Sequence, residues 1–396
     1  FTRGIRMQKI LKYIMKLMMW SIYPIGFLIK RDKSIWLFGS YSGFTDNSRY
    51  LFESTTKKND VRCIWISDDI KLIKKIRCKG YEAYYKYSVK GIYFCYIAKV
   101  YIYSNYVSTI NFYTSAGAVL VNLWHGTPLK KIEYDISKSP LFNYFKGASF
   151  IIKILMPEKH KKCNFILAPS QFVYDYSFKS AFRVYDMQYA IIADPPRISN
   201  LLSRAYHKVN NDKNSIKKTK KTFLYAPTWR DDRSDFISIS GLNFNEINNF
   251  LLKNNAYLQI RLHPNTTLNI DMSEMENIHI VDNYEPAEDS MLNSDFLITD
   301  YSSIYFDYLY LNRPIIFFPF DLEKYTASRD FYLSYNEATP GVKVYNQGEL
   351  IQEMDNLLKG IDNWMNYRKE LAEKFCSLER RNDDYIIKKI KKGVSE

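Results

Sequence analysis

Residues 296–321, FLITDYSSIYFDYLYLNRPIIFFPFD, constrain the fold more than any other part of the chain. Residues 296–299 form a short apolar run that is typical of a buried parallel strand. The spacing of Ile304, Tyr308 and Leu311 predicts a helix with these side chains on its inner face. Because a second apolar run follows at residues 315–318, the stretch is predicted to be a βαβ crossover, the unit of a parallel α/β sheet.

The turn between the first strand and the helix carries Asp300, Ser302 and Ser303. A helix that begins at the carboxyl end of a parallel strand presents free backbone N–H groups and the positive end of its dipole, and both favour bound phosphate. The serine hydroxyls add further donors. Serine is also a common helix cap, so this turn by itself leaves phosphate binding and plain capping as alternatives.

Length, charge and cysteine usage limit what the chain can be. Its 396 residues exceed the ~250–300 at which a single core stops growing, so two domains are expected. The net charge of +14 indicates a polyanionic partner such as anionic lipid, nucleic acid or a phosphate polymer. The five cysteines show no CxxC spacing, and the sequence has no Asp-x-Asp pair and no HExxH. We therefore expect reduced thiols, no metal and no other cofactor.

Residues 1–34 are predicted to form a basic amphipathic segment that lies on a membrane surface. Basic and apolar side chains interleave in it, the basic ones being Arg3, Arg6, Lys9, Lys12 and Lys16 and the apolar ones Ile10, Leu11, Ile14, Leu17 and Met18. The uncharged run 17–29, broken by Pro24, is shorter than the ~20 residues of a membrane-spanning helix. A signal peptide without an evident cleavage site and a helix packed on its own protein are the alternatives.

Apolar strands and helical stretches alternate along the rest of the chain, which is typical of parallel sheets. Strands are expected at residues 35–38, 61–66, 100–103, 118–123, 165–168, 222–226, 256–262 and 278–281, with helices at 69–78 and 170–182. The polar, basic stretch 207–221 is expected to link an N-terminal Rossmann-like domain (35–206) to a C-terminal one (222–360). C-terminal helices (361–396) are expected to follow, at least one of them returning to the first domain.

Polar side chains follow four of the predicted strands. They are His125 with Gly126, Thr127 and Lys130; Thr228 with Arg230; Arg261 with His263; and Thr299 and Asp300 with Ser302 and Ser303. The carboxyl ends of parallel strands share one edge of a sheet, where ligands bind. Two such sheets facing each other would place these groups around one interdomain cleft, with His125 on one wall. Taken singly, each motif is equally explained by a capped loop or a strand end.

Four segments together resemble the CDP-glycerol glycerophosphotransferase family of teichoic acid and capsule synthesis. They are WHGTPLKK at 124–131, APTWR at 226–230, RLHP at 261–264 and LITDYSSIYFDYLYLNRPIIFF at 297–318, in the order of the family's motifs. The resemblance implies a GT-B fold with two Rossmann-like domains. It also implies transfer of a polyol phosphate from CDP-glycerol or CDP-ribitol to a hydroxyl of a lipid-linked glycan or polyol-phosphate acceptor, with release of CMP. Such an enzyme is expected to be peripheral, at the cytoplasmic face of the bacterial membrane, with no nucleic-acid partner.

The resemblance also implies roles for the polar residues. His125 is expected to be the general base, and imidazole has the ordinary pKa nearest neutrality. Asp300 is expected to orient a donor group. The donor diphosphate is expected to be bound by His263, Ser302, Ser303, Thr228 and Thr299, with Arg230 and Arg261 as further candidates, and the acceptor side is expected to include Gly126, Thr127, Lys130 and Arg197.

Two segments depart from the family pattern, and two other functions stay open. Residues 329–331 are Arg-Asp-Phe where similar proteins have Arg-Gly-Phe, and residues 194–199 replace a Gly-x-Pro-Arg-Asn-Asp run. The second departure bears on the identity of the acceptor and of the polyol.

One alternative function is that of a GT-B glycosyltransferase that uses a CMP- or UDP-sugar. The other is a non-enzymatic basic scaffold on membranes or nucleic acid, which predicts salt-dependent binding to DNA.

Overall fold

The computed structural model describes residues 13, 15–212, 220–230, 239–263, 266, 275–282, 285–377 and 380–395. The chain divides into two compact units, each built on a parallel sheet. The first unit is drawn from residues 1–125, 131–197 and 379–396, and the second from 126–130 and 198–378. Both units are therefore of the predicted α/β class.

The first unit contains a seven-stranded sheet in the order β3-β2-β1-β4-β5-β6-β7. Its strands are β1 (Asp32–Gly39), β2 (Arg62–Ser67), β3 (Ala83–Tyr85), β4 (Ala98–Tyr103), β5 (Val119–Asn122), β6 (Phe165–Ala168) and β7 (Ala190–Ile192). Both faces of the sheet are buried, since Trp36 and Phe38 of β1 pack in one apolar cluster and Ile35 and Leu37 in another. The strand order changes direction between β1 and β4, which makes that point the topological switch of the sheet.

The second unit contains a six-stranded sheet in the order β10-β9-β8-β11-β12-β13. Its strands are β8 (Lys221–Tyr225), β9 (Ala256–Ile260), β10 (Ile278–Ile280), β11 (Phe296–Thr299), β12 (Ile315–Phe317) and β13 (Val342–Lys343). The predicted βαβ unit is confirmed, because β11 lies between β8 and β12 and pairs with both in parallel. The strand order changes direction between β8 and β11.

Helices cover both sheets. Those of the described residues are α1 (Ile25–Leu28), α2 (Asp46–Lys58), α3 (Ile70–Cys78), α4 (Val89–Ile97), α5 (Phe150–Leu155), α6 (Gln171–Val173), α7 (Lys179–Ala181), α8 (Pro196–Asp212), α9 (Phe244–Lys253), α10 (Ala287–Asn293), α11 (Ile304–Leu309), α12 (Leu322–Ser328), α13 (Tyr335–Ala338), α14 (Gln347–Leu358), α15 (Met365–Phe375) and α16 (Asp383–Ser395). The expected return of a C-terminal helix to the first domain is made by α16, whose Ile386, Ile387 and Ile390 join that unit's core. No helix among the described residues is long and apolar enough to cross a bilayer.

The structure corrects the predictions for two helices. Helix α11 ends at Leu309, so Leu311 lies beyond it, and the helix is buried on all sides rather than along one stripe. The helix expected at 170–182 contains a π-helical turn, Tyr174–Phe178, between α6 and α7.

The segment expected to be a linker begins inside a helix. Residues 207–212 belong to α8, while 213–219 lie outside the described residues. Two contacts with α10 hold this part of the chain in place: Arg204 forms an ion pair with Asp289 at 2.5 Å, and Lys208 Nζ donates to Asn293 Oδ1 at 3.0 Å. Tertiary contacts thus extend a helix through a stretch that has no apolar period of its own.

The N-terminal segment is partly packed on its own protein and partly exposed. Residues 1–12 and 14 lie outside the described residues. Beyond them, Trp20 and Tyr23 pack against the first unit's core, and the Trp20 indole donates to the Ile154 carbonyl at 3.0 Å. Leu28, in contrast, is 86% exposed. The segment is therefore anchored on its own protein and still presents apolar side chains to solvent.

Candidate active site

In the first unit, His125 lies just beyond the carboxyl end of β5. Its side chain is exposed, and Nδ1 lies 3.1 Å from the carbonyl oxygen of Ser104, the residue that follows β4. Because a carbonyl oxygen can only accept a hydrogen bond, Nδ1 carries the proton of the neutral ring. The other ring nitrogen, Nε2, then presents its lone pair. This is the tautomer that a general base requires.

The backbone around His125 has an unusual conformation. Trp124 has a φ of 49°, which is uncommon for a residue other than glycine, and the next residue, Gly126, has a φ of 154°. The Trp124 N–H donates to Asn122 Oδ1 at 2.9 Å, and its carbonyl oxygen accepts from Asn47 Nδ2 at 2.9 Å. The peptide units leading to His125 are therefore fixed from both sides.

Two charged residues act on the His125 ring. Burial by the surrounding protein lowers the pKa of His125, and the positive charge of Arg197 lowers it further. The negative charge of Asp46 and the hydrogen bond with the Ser104 carbonyl raise this pKa and partly offset the lowering. Arg197, predicted on the acceptor side, forms an ion pair with Asp46 at 3.4 Å. His125 is thus neutral at neutral pH.

In the second unit, Asp300 is part of a buried ion-pair network. Its carboxylate accepts from the backbone N–H groups of Thr228 at 2.8 Å and Tyr301 at 2.6 Å, and it pairs with Arg230 at 2.9 Å. Arg230 also makes a two-pronged contact with Asp321 at 2.8 and 2.9 Å. Burial alone would lower the pKa of Arg230, but the two carboxylates outweigh it and raise that pKa. Asp300 is 1% exposed and Arg230 5%, so both are placed to hold the turn.

The network corrects two donor-binding expectations. Thr299 is fully buried, and its hydroxyl donates to the Ala226 carbonyl at 2.7 Å, so this side chain joins β11 to the end of β8. Arg261 turns away from the turn at Asp300, since Nη2 donates to the Glu285 carbonyl at 2.6 Å and Nη1 lies 3.5 Å from Ser290 Oγ. Both residues shape the strand ends.

His263 and Lys130 lie together in the second unit. His263 is exposed and its ring stacks near Trp229, with centroids 5.8 Å apart. Burial and then the charge of Lys130 lower the pKa of His263. Lys130 Nζ donates to the Tyr325 hydroxyl at 2.9 Å. A neutral imidazole and an ammonium group therefore occupy one neighbourhood.

The position of Lys130 differs from the expectation. We predicted Gly126, Thr127 and Lys130 on the acceptor side of the first domain, whereas residues 126–130 group with the second unit. The physical reason is a pair of backbone contacts: Lys130 forms a β-bridge with Phe331, and the Tyr332 N–H donates to the Leu129 carbonyl at 3.0 Å. Lys130 thereby joins the donor-side candidates.

The serines at the start of α11 are only weakly engaged as caps. Ser303 occupies the N-cap position without a side-chain capping bond, and Ser302 Oγ accepts from the Ile304 N–H at 3.4 Å, a long contact. Ser303 is exposed and Ser302 half-buried. The nearby Thr228 hydroxyl is buried and has no hydrogen-bond partner in the part of the chain that the structure describes. These three hydroxyls are the ones that capping and the ion-pair network leave for a ligand.

Comparison with known proteins identifies the family. The model of the family described as CDP-glycerol:poly(glycerophosphate) glycerophosphotransferase matches residues 22–392. The chain belongs to this family. It is 30% identical to the teichoic acid glycerol-phosphate transferase of Staphylococcus aureus (strain NCTC 8325 / PS 47), over 92% of this chain and 95% of that protein. It is 29% identical to the teichoic acid poly(glycerol phosphate) polymerase of Bacillus spizizenii (strain ATCC 23059 / NRRL B-14472 / W23), over 91% and 93%.

Among solved structures, the wall teichoic acid polymerase TagF shares the fold. It superposes with a TM-score of 0.76 at 24% identity, covering 99% of this glycerophosphotransferase-family chain and 98% of the chain in that structure. TagF has also been solved after soaking with CDPG. The predicted GT-B class with two Rossmann-like domains is confirmed by this likeness. The predicted enzyme class, a polyol-phosphate transferase of the teichoic acid type, is confirmed by the family.

Sequence reasoning missed several residues of the glycerophosphotransferase site. Asp46, Asn47 and Ser104 surround the His125 loop, yet none was predicted. Asp46 and Asn47 follow β1 only after a six-residue turn, so no apolar run leads directly into them. The signal that could have found them is the topological switch between β1 and β4, which requires the sheet order and not the strand positions alone.

Proposed function

We propose that this enzyme transfers glycerol phosphate from CDP-glycerol to a hydroxyl group of a lipid-linked acceptor, with His125 as the general base. In this reaction the acceptor hydroxyl gives its proton to Nε2 of His125. The acceptor oxygen forms a bond to the phosphorus that carries glycerol, the bond to the bridging oxygen of the diphosphate breaks, and CMP leaves. Glycerol is favoured over ribitol because the full-length likeness is to glycerol-phosphate enzymes.

The observation that carries this proposal is the hydrogen bond from His125 Nδ1 to the Ser104 carbonyl. It leaves the lone pair on Nε2, the atom that an exposed ring can offer to a substrate. The lowered pKa of His125 keeps the ring unprotonated at neutral pH, as a base must be. Arg197, in the first unit, stays a candidate for the acceptor side.

The donor diphosphate is proposed to bind at the second unit's switch point. Lys130 supplies positive charge, His263 supplies a neutral N–H donor, and the hydroxyls of Thr228, Ser302 and Ser303 complete the set. Developing negative charge on departing CMP calls for donors that are already in place, and such groups contribute most where water is excluded. Asp300 and Arg230 are proposed to act indirectly: they do not contact the donor, and their ion pair fixes the turn that carries the serines.

The proposal is tested by comparing His125→Ala with His207→Ala, a substitution of an exposed histidine on α8. Loss of a general base lowers kcat by ~10²-fold or more. We expect this loss for His125→Ala, measured as CMP release from CDP-glycerol, with donor affinity unchanged and with His207→Ala indistinguishable from the parent. Full turnover in His125→Ala contradicts the base assignment. Assays with CDP-ribitol and with sugar nucleotides in parallel test the donor.

A membrane-bound acceptor calls for a membrane-docking surface, and we propose that the first unit carries one. The N-terminal segment contacts α5 through Lys16 Nζ, which donates to the Leu155 carbonyl at 2.5 Å. Next to this contact, Phe150 of α5 is 77% exposed. The exposed apolar side chains of this surface are Met15, Leu17, Met18, Ile25, Phe27, Leu28, Phe150 and Ile151, and exposed lysines near α5 are Lys146, Lys153 and Lys162.

The occupant proposed for this surface is anionic lipid at the cytoplasmic membrane face. Each lysine near such a surface contributes ~1 kcal/mol, and apolar insertion adds to this attraction. The expected consequence is a higher local concentration of the lipid-linked acceptor, without a change in the chemistry at His125.

Point substitutions test the surface better than a truncation, because Trp20 and Tyr23 are part of the core packing. Phe150→Ser with Ile151→Ser is compared with Tyr206→Ser and Val209→Ser, an exposed apolar pair on α8. The first pair should reduce sedimentation with phosphatidylglycerol vesicles and activity on long-chain acceptors, and should spare activity on a short, soluble acceptor. Equal vesicle binding by both pairs excludes α5 from the docking surface.

A further inference from the structure

We infer that the start of helix α2, residues Asp46, Asn47 and Ser48, positions the imidazole of His125, with Asn47 as its central positioning residue. The inference rests on the proposed role of His125 and concerns how that ring is held. It assigns a role to three residues that contact neither donor nor acceptor in the proposal above.

Asn47 holds the backbone immediately before His125. Its side chain is 1% exposed. The amide Nδ2 donates to the carbonyl oxygens of Leu123 at 3.4 Å and Trp124 at 2.9 Å. The carbonyl of Trp124 belongs to the peptide unit that joins it to His125, so this contact sets the direction in which the histidine leaves the strand.

The contact with Trp124 matters because that residue is strained. A non-glycine residue with a φ of 49° persists only where its surroundings over-determine it, since such conformations are unfavourable. The bond from Asn47 and the bond to Asn122 Oδ1 are the two contacts that hold the Trp124 peptide groups. Removing the first allows the backbone to relax and the imidazole to move with it.

Ser48 holds the partner of the ring itself. Its backbone N–H donates to Ser104 Oγ at 3.0 Å, and the two hydroxyl oxygens are 2.6 Å apart. Ser104 in turn supplies the carbonyl oxygen that accepts from His125 Nδ1. Both serines are buried. One end of α2 therefore fixes the backbone of His125 through Asn47 and the tautomer of its ring through Ser48.

A third segment is tied to the same point. Asn47 Oδ1 accepts from the Arg197 N–H at 3.2 Å, and the Arg197 side chain pairs with Asp46. The amide nitrogen and the amide oxygen of Asn47 therefore both form hydrogen bonds with the protein. Asn47 thus connects the loop that follows β5 to the start of α8, and this leaves the loop little freedom to move.

The inference predicts a kinetic effect without a binding effect. A displacement of ~1 Å at a reacting group can cost ~10²-fold in rate. We therefore expect Asn47→Ala to lower kcat by ~10-fold or more and Ser48→Ala by a smaller factor, with the dissociation constant for CDP-glycerol unchanged. The matched control is Asn277→Ala, which removes a comparably buried amide that donates to the Ala256 carbonyl in the second unit. That control should lose stability without a specific loss of kcat.

A spectroscopic measurement separates positioning from general destabilisation. In the full-length chain labelled with ¹⁵N-histidine, the five histidines give a small set of ring signals, and His125→Ala identifies the signal of interest. The parent should show the Nδ1–H tautomer, and both Asn47→Ala and Ser48→Ala should shift His125 towards the Nε2–H form. If Asn47→Ala does not fold, Ser48→Ala decides.

Unchanged His125 signals in the folded variants overturn the inference. This outcome is distinct from failure of the proposed function, which is read from the turnover of His125→Ala. A histidine that proves dispensable for catalysis can still be shown to depend on Asn47 for its orientation.

Discussion

His125 and Asp300 each follow a strand of a parallel sheet, one in each unit, yet their environments are opposite. Each follows a strand at or beside the topological switch of its sheet. His125 is exposed and held through one ring nitrogen, whereas Asp300 is buried and held by two backbone N–H groups and Arg230. The end of a parallel strand therefore supplies a position for a polar group, and burial decides whether that group faces solvent or is enclosed by protein partners.

The difference follows from the number of protein partners. A carboxylate that accepts from two backbone N–H groups and pairs with a buried cation is fixed in place by the protein. An imidazole bonded at one nitrogen keeps its second nitrogen for chemistry. The first unit thus offers an exposed imidazole nitrogen, and the second offers a turn, held by the ion pair of Asp300 with Arg230, that carries Ser302 and Ser303.

The largest expected effect is a difference in stability between a variant at Asp300 and a variant at His125. Asp300→Asn should destabilise the chain by about 3 kcal/mol, the lower end of the range for a broken buried ion pair, because Asp321 still neutralises Arg230. His125→Ala should leave the free energy of unfolding near that of the parent. Urea unfolding of both variants measures the contrast. Equal stability of Asp300→Asn and the parent would show that the ion pair does not support the turn.

The next effect tests whether the turn in the second unit binds the donor. Ser302→Ala combined with Ser303→Ala should weaken binding of CDP-glycerol, since hydrogen bonds to charged groups contribute ~1.5–3 kcal/mol each. Titration calorimetry measures the dissociation constant, with Ser395→Ala on α16 as the control. An unchanged constant would return both serines to a role in helix capping.

A smaller effect sharpens the account of His125. Asp46 raises the pKa of His125, and Arg197, which forms an ion pair with Asp46, lowers it. Asp46→Asn removes the effect of the carboxylate and leaves that of the Arg197 charge. The pKa of His125 falls further, and a base that acts unprotonated then works to lower pH. The acidic limb of the kcat profile should shift to lower pH, with little change in the plateau. A shift to higher pH, or none, contradicts the electrostatic assignment; Asp60→Asn on the surface is the control.

The smallest expected effect is that of metal removal. Among the described residues, no cluster of three or more histidine, cysteine or acidic side chains could hold a metal ion. Activity in the presence of EDTA is expected to equal that in its absence. Loss of activity that Mg²⁺ restores would place a metal on the donor diphosphate.

The sequence predicts most of the secondary structure because apolar runs dominate it. The run at residues 296–299 has the bounds of β11, and 165–168 those of β6, since strands buried on both faces need apolar side chains at every position. The strand-end rule likewise predicts His125, His263 and the serines as site residues, and their roles stay predictions.

The remainder could not be predicted, because it depends on partners distant in sequence. Thr299 and Asp300 have polar side chains in a ligand-binding position, but their bonds to Ala226 and Thr228 turn them inward. Lys130 groups with the second unit because of contacts with residues 331 and 332. Helix α8 contacts α10 through Arg204 and Lys208, whose partners Asp289 and Asn293 are more than 80 positions away in sequence.

The hydrogen bonds of Asn47 also have a consequence for how the molecule folds. They join residues separated by 76, 77 and 150 positions in the chain. Contacts of such high sequence separation form after local structure, since chain-closure entropy must be overcome before they add stability. The loop after β5 that carries His125 is therefore expected to acquire its final shape late in folding, when β1, β5 and the start of α8 have already docked.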